Sequence, residues 1–338
     1  MVLSVRMEMT DNIVDAGHSV IAQIIKRRDS AQSDRRIKLG LVVEGGGMRG
    51  AISAGALVAM ERLGLSTVFD EVYAESSGAT NSCYFLAGQG DFGSAIYPDY
   101  LSSCRFVNPF RLGRIIDVEY AVRQVVGQLR LLDVAGVLRS PSRLFVPLTD
   151  MRDGTSRLID VKAEGIPFLD VLAATCAIVP LYDKPEVIAG VRYADGGIAN
   201  PIPVASAVLN GCTHILVLLT QPVPFVSRGF SGLAKAVWWP RWRSWSAGFC
   251  RAFERQAAAY NMARDLAFGR RCAATGVQIG VLAPSGPAAA AISLTTTSSS
   301  RVRAAMEETL RSTLDLFRLA AVRSSARASD LESRVKES

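Results

Sequence analysis

Three short stretches hold residues whose types and spacing could do chemistry: Gly45, Gly46, Gly47, Met48, Arg49 and Gly50; then Glu75, Ser76, Ser77 and Gly78; then Asp195, Gly196 and Gly197. The first offers bare backbone N–H groups where a helix should begin, an arrangement that holds an anion. In the second, a serine, one spacer and a glycine stand where an apolar run passes into a second apolar helix. That is the setting of a nucleophile elbow, the strand-turn-helix that pushes a serine hydroxyl out of a sheet. The third puts a carboxylate on a tight turn, ionised at neutral pH because its reference pKa is about 4. Each stretch taken singly is ordinary turn chemistry. Together they offer a nucleophile, a base and an anion cradle.

Three anions compete for the glycine turn. A phosphate loop needs Lys and then Ser or Thr after Gly50, and Ala51 and Ile52 stand there instead. A dinucleotide fits better, because Gly45, Gly47 and Gly50 satisfy G-x-G-x-x-G and Asp70 lies 20 residues further on. Asp70, however, precedes the second apolar run, whereas a ribose-binding acid should close it. The third candidate is the oxyanion of an acyl-transfer intermediate. Histidine bears on the choice of mechanism, since a Ser-His-Asp triad needs an imidazole and the chain has only His18 and His214. His18 precedes the sheet and His214 opens a buried strand, so a Ser-Asp dyad is the better reading.

The elements that must position these residues can be read from periodicity. Leu39 to Val43 is a strand buried on both faces, and Ala51 to Leu63 has apolar residues at helical spacing before Gly64. A strand over about Val72 to Ala74 leads to a helix over Ala79 to Ala87. Ser142 to Asp150 and Ser156 to Val161 read as strands around Arg152-Asp-Gly154. Val171 to Ile178 is a helix stopped by Pro180, and Ile115 to Leu138 holds one or two more. After Asp195 come a helix to Leu209 and a buried strand from His214 to Thr220. Gly280 to Ser300 reads as a loop or linker, and Val302, Met306, Leu310, Leu314 and Phe317 make a closing helix.

The 338 residues suit one large α/β domain or two small ones, and the excess of 38 basic over 31 acidic residues, +7, fits attraction to anionic surfaces such as lipid headgroups. No nucleic-acid motif is present. The six cysteines are scattered without a C-x-x-C pair, so they are expected reduced and mostly buried, with no metal site. No apolar core precedes Thr10-Asp-Asn12, so no signal peptide is expected, and no run of 18 apolar residues occurs. Residues 1–36 read as an amphipathic helix with Ile13, Val14, Val20, Ile21, Ile24 and Ile25 on one face, then a basic linker. It either packs on the outside of the domain or lies on a membrane surface. All four tryptophans, Trp238, Trp239, Trp242 and Trp245, fall within the Trp/Arg-rich stretch 225–255. Lipid contact and a lid packed over the core are equal readings of it. Residues 323–338 read as a disordered tail.

In order and spacing the three motifs resemble those of the patatin-like phospholipase family. The likeness covers roughly Leu39 to Thr220 and includes the Asn200-Pro201 that follows the aspartate turn. It implies a three-layer α/β/α sandwich around a mainly parallel sheet over residues 37–322, and a serine acyl hydrolase needing no cofactor. Ser76 would be the nucleophile and Asp195 the base, with the Gly45 to Gly50 turn as oxyanion hole; Ala74, Glu75, Ser77, Gly78, Gly196 and Gly197 would support them. The expected substrate is phospholipid or another fatty acyl ester, and the expected place the cytoplasm, or the inner face of a membrane as a peripheral protein. Two departures from the family pattern stand out: Ala74 replaces the usual glycine, and Glu75 replaces a small or neutral residue. A carboxylate beside the nucleophile could oppose a developing anion. A silent lipid-binding or regulatory protein that keeps the fold is therefore the alternative, and a nicotinamide enzyme the third reading.

Overall fold

The computed structural model describes residues 19–30, 34, 36–111, 113–229, 244–270 and 276–336, the last fourteen as backbone alone. In chain order the elements are α1 (19–29), β1 (Leu39–Val43), α2 (Gly50–Arg62), β2 (Glu71–Ala74), α3 (Ser77–Leu86), α4 (Gly90–Ser94), α5 (Val134–Arg139), β3 (Arg143–Asp150), β4 (Ser156–Asp160) and α6 (Phe168–Thr175). They continue with β5 (Glu186–Ile188), β6 (Val191–Asp195), α7 (Val204–Leu209), β7 (His214–Leu218), α8 (Ala247–Ala267), β8 (Gln278–Leu282), α9 (Pro287–Ala290) and α10 (Ser299–Lys336). Two more loosely wound helical segments, Tyr97–Leu101 and Tyr120–Leu129, lie between α4 and α5.

The sheet runs β5-β6-β3-β2-β1-β7-β8, with β4 on β3 as well. Its centre is parallel: β1 pairs β2 and β7, β2 pairs β3, and β7 pairs β8. The β3–β4, β3–β6 and β5–β6 pairs are antiparallel. Because successive strand residues face opposite sides, Leu41 and Val43 join one core with α1, α2, α3 and α10, while Val42 joins another with α7 and α8. The result is the expected mixed α/β sandwich around a mainly parallel sheet.

α1 buries Val20, Ile21, Ile24 and Ile25 in the larger core, each contributing about 1.5–3 kcal/mol by burial. Arg27 fixes it by donating to the Asp70 carboxylate at 3.1 Å and to the Ile37 carbonyl at 2.7 Å. This part of the helix packs on the domain; Ile13 and Val14 lie outside the described residues.

Several boundaries differ from expectation. The helix expected to reach Ile178 ends at Thr175, so Ile178 to Pro180 is free to line the cleft described below. The stretch from Gly280 expected as a linker holds the end of β8, which adds an edge strand to β7, and α9. The polar stretch from Ser324 continues α10 to Lys336. Cys83 and Cys212 are buried as expected, whereas Cys104 is exposed. Among the described residues, no helix is long and apolar enough to cross a membrane.

Candidate active site

In parallel α/β sheets, ligands gather outside the carboxyl ends of the strands, where neighbouring connections diverge. β1 is that place here, since the chain leaves it for β2 on one side and places β7 on the other. The glycine turn follows β1 directly. Glu75 and Ser76 follow β2, whose last residue Ala74 pairs with Val43 at the same edge. Asp195 reaches that edge from the opposite direction: it closes the antiparallel β6 and pairs with Leu148 of β3.

Ser76 sits at φ 52°, ψ −132°, in a region that non-glycine residues occupy only under constraint, at a cost of order 1–3 kcal/mol. The constraint is visible. Its N–H donates to Thr175 Oγ1 at 2.9 Å, the Thr175 hydroxyl donates to the Pro147 carbonyl at 3.1 Å, and the Ser76 carbonyl accepts the Ala79 N–H at 3.0 Å. β2, β3, α3 and α6 thus all fix one residue. Ser77, by contrast, is the first residue of α3 with its hydroxyl set toward Gly50.

Asp195 is buried, with Oδ1 accepting the Gly197 N–H at 2.7 Å and its backbone held by Ala177 and Thr149. Among the described residues, Oδ2 has no hydrogen-bond partner of normal geometry, although the Ser76 hydroxyl is close enough to favour the ionised form. Burial outweighs this and the Gly197 bond, and pushes the carboxyl up to about 7.

The glycine turn keeps two donors unspent. Gly45 donates to Glu75 Oε1 at 2.8 Å, Met48 to the Leu294 carbonyl at 3.0 Å, Arg49 to the Gly46 carbonyl at 3.1 Å, and Gly50 to the Gly47 carbonyl. These four N–H groups of the turn are therefore already bonded within the protein. Those of Gly46 and Gly47 have no acceptor among the described residues. Gly46 adopts φ 138°, open to glycine alone, and Gly45 lies so near the elbow that a Cβ would come within 2.7 Å of Ser76 Cβ.

A cleft of about 600 Å³ opens above Ser76, Asp195 and Gly46, and a smaller apolar pocket of about 50 Å³, walled by Ile96, Tyr97, Leu101, Val122, Val126 and Ile178, lies behind Ser76. Ser76 and Ile178 line both. Asp70 accepts the Leu39 N–H at the opposite, amino-terminal edge of the sheet, so the acid required by a dinucleotide is remote from the glycine turn. His214 also starts β7 at that edge, opposite Leu39. Five strand residues, about 15 Å, separate it from the site. Among the described residues, no cluster of His, Cys, Asp or Glu is placed to hold a metal ion.

The family comparison agrees with the motif spacing. Residues 41–208 match the model described as patatin-like phospholipase. The chain carries a domain of the patatin-like phospholipase family. It is also 30% identical over 191 residues to the uncharacterized protein YjjU of Escherichia coli K12, a match covering 55% of this chain; the chain spans about half the length of that relative. Among solved structures, VipD from Legionella pneumophila aligns over 85% of this chain and 68% of its own at 12% identity, TM-score 0.46. Human GIVD cytosolic phospholipase A2, solved with methyl gamma-linolenyl fluorophosphonate, aligns over 93% and 64% at 11% identity, TM-score 0.35.

The patatin-like domain does not close the site alone. Beyond residue 208, α8 supplies Gln256, which donates to the Gly197 carbonyl at 3.1 Å, and Tyr260, whose hydroxyl donates to Glu44 Oε1 at 2.6 Å. The Leu294 carbonyl covers Gly47. Sequence reasoning missed Glu44, Thr175, Gln256, Tyr260 and Leu294. Glu44 alone carried a signal, as an acid closing an apolar strand.

Glu75 is neither solvated nor ion-paired with a described residue. It is buried against Gly45, and burial together with the Asp195 charge pushes its carboxyl well above the usual range. Glu44 is raised too, chiefly by burial, against the opposing bonds from Tyr260 and the Thr220 N–H. Trp245 packs edge-on against Phe249 and Phe253 of α8, with ring centroids 4.9 and 5.7 Å away, and so covers a small core cluster. Trp238, Trp239 and Trp242 lie outside the described residues.

Proposed function

We propose that the protein is a serine acyl hydrolase that cleaves phospholipid or another fatty acyl ester through Ser76 and Asp195. As Ser76 Oγ attacks the acyl carbon, its proton passes to the open Oδ2 of Asp195, and the carbonyl oxygen gathers charge beside the N–H groups of Gly46 and Gly47. The alkoxide leaving group takes the proton back when the C–O bond breaks. Water then repeats the sequence on the acyl-enzyme and releases the fatty acid. Each unspent N–H would lower the barrier by roughly 3–4 kcal/mol if it acts like other oxyanion donors.

One observation carries this reading: a strained serine shares its cleft and the adjoining pocket with a carboxylate oxygen and two backbone donors that have no hydrogen-bond partner among the described residues. The apolar pocket behind Ser76 suits the acyl tail and the wide cleft suits the rest of the ester. The alternative of a silent lipid-binding protein draws on Glu75, which occupies the Gly45 donor. A panel of acyl esters of increasing chain length decides between them. Turnover lost in Ser76→Ala supports the hydrolase, and binding without turnover by folded wild type supports the alternative.

A further inference from the structure

Two carboxyl groups converge on one glycine in this site. Asp195 Oδ1 and Glu75 Oε2 lie 2.9 and 3.3 Å from the position that a Cβ on Gly197 would take. Both residues are buried, and neither is ion-paired with a described residue. Nearby, Arg49 faces them from the glycine turn with its Nε lacking a hydrogen-bond partner among the described residues, Glu44 faces them from the end of β1, and the Cys176 thiol from the end of α6. Tyr260 and Arg264 of α8 act on Glu44, which the Tyr260 hydroxyl caps. Arg49 acts on Glu75 and Glu44 without forming an ion pair with either, and among the described residues no cation is ion-paired with Asp195. Like-charged carboxyls brought together in a dry site titrate as a pair, one losing its proton well before the other.

We propose that Glu75 and Asp195 share one proton, retained by Glu75 while Asp195 ionises, and that Glu75 is thereby a positioning residue that limits the resting site to a single negative charge. The inference rests on the Ser76–Asp195 reading above. Neutral Glu75 still accepts the Gly45 N–H through its carbonyl oxygen, so the glycine turn stays tied to the elbow whichever carboxyl is charged. The asymmetry has a structural origin. Asp195 accepts the Gly197 N–H and lies close enough to the Ser76 hydroxyl for that dipole to favour its charged form, whereas Glu75 accepts the Gly45 N–H alone. When pH rises far enough to remove the second proton, the added charge beside Ser76 opposes both the approach of Ser76 Oγ as a nucleophile and the growth of the oxyanion. The elbow's unusual residue then imposes an alkaline limit on catalysis.

The test compares kcat/KM on one short-chain ester, and the rate of covalent labelling by a fluorophosphonate, across a pH series for wild type and Glu75→Gln. Glutamine keeps the acceptor for Gly45 and removes the charge. Wild type should give a bell: a rise as Asp195 ionises and a fall of tenfold or more above it. Glu75→Gln should keep the rise and lose the fall. An alkaline fall unchanged in Glu75→Gln would overturn the proposal, as would a wild-type profile that stays flat to the limit of stability. A second measurement stands apart from turnover and from the folding of that variant: infrared difference spectra of Ser76→Ala and Ser76→Ala/Asp195→Asn at neutral and alkaline pH. A protonated-carboxyl C=O band present in both at neutral pH and lost on alkalinisation in the first is expected. Absence of that band at neutral pH contradicts the shared proton even if the protein proves to hydrolyse no ester, whereas its presence with no hydrolysis or labelling would point to failure of the Ser-Asp reading instead.

Discussion

Asp195 begins the proposed reaction with one oxygen bound to Gly197 and the other open, so only its ionised form can act as base. Its carboxyl, pushed up to about 7 by burial, loses that form as pH falls. Hydrolysis should therefore decline below about pH 7, which a pH profile of kcat/KM measures. The same shift has the opposite effect on stability. The folded state holds a proton that the unfolded state releases near 3.8, so stability falls as pH rises from there through about 7. Asp195→Asn should thus be inactive yet melt no lower than wild type, and higher at pH above 7, by differential scanning calorimetry. Ser76→Ala should lower kcat/KM by about 10³–10⁴ or more with little change in Tm, and Ser77→Ala far less. The residue types were legible because a hydrolase elbow needs Ser and Gly at fixed spacing. The state of Glu75 was not, since whether a carboxyl repels an anion or holds a proton depends on burial, and burial is not written in the tetrapeptide Glu75 to Gly78.

At the scale of elements, the strained serine is held chiefly by Thr175, at the end of α6, which joins the elbow to β3 through two hydrogen bonds. Thr175→Val keeps the shape and removes both. It should destabilise the protein by about 1–3 kcal/mol, because a buried donor and acceptor lose their partner. It should also lower kcat more than it raises KM, since Ser76 would leave its attacking geometry; urea unfolding and steady-state kinetics check the two parts. The central strands were readable because a strand buried on both faces must be apolar throughout, as Leu39 to Val43 is. Asp195's strand direction was not, because pairing β6 antiparallel to β3 is a long-range choice. Nor was the cleft wall on α8, whose Arg, Gln and Ala residues show little apolar periodicity; Tyr260 and Gln256 act there through single polar contacts.

For the whole molecule, the two cores divide the work. One face carries α1, α2, α3 and α10, and the other carries α7 and α8, which borders the cleft. Phe317 of α10 is buried in the first core away from the cleft lining. Phe317→Ala should cost about 3–5 kcal/mol while leaving kcat per folded molecule unchanged, as judged by chemical denaturation and by active-site titration. The closing helix was legible from the spacing of Val302, Met306 and Phe317, because one apolar stripe had to meet the domain. That the chain between β8 and α10 reaches back to seat Leu294 over Gly47 was not. A backbone carbonyl leaves no trace in residue type.

The central claim, that Ser76 is an activated nucleophile served by Asp195, is tested most directly by exposing folded protein to a fluorophosphonate at pH 8 and mapping the adduct by peptide mass spectrometry. The account predicts one adduct, on Ser76, absent from Ser76→Ala and strongly slowed in Asp195→Asn. An adduct on Ser77 or elsewhere, or labelling of Asp195→Asn at the wild-type rate, would contradict it.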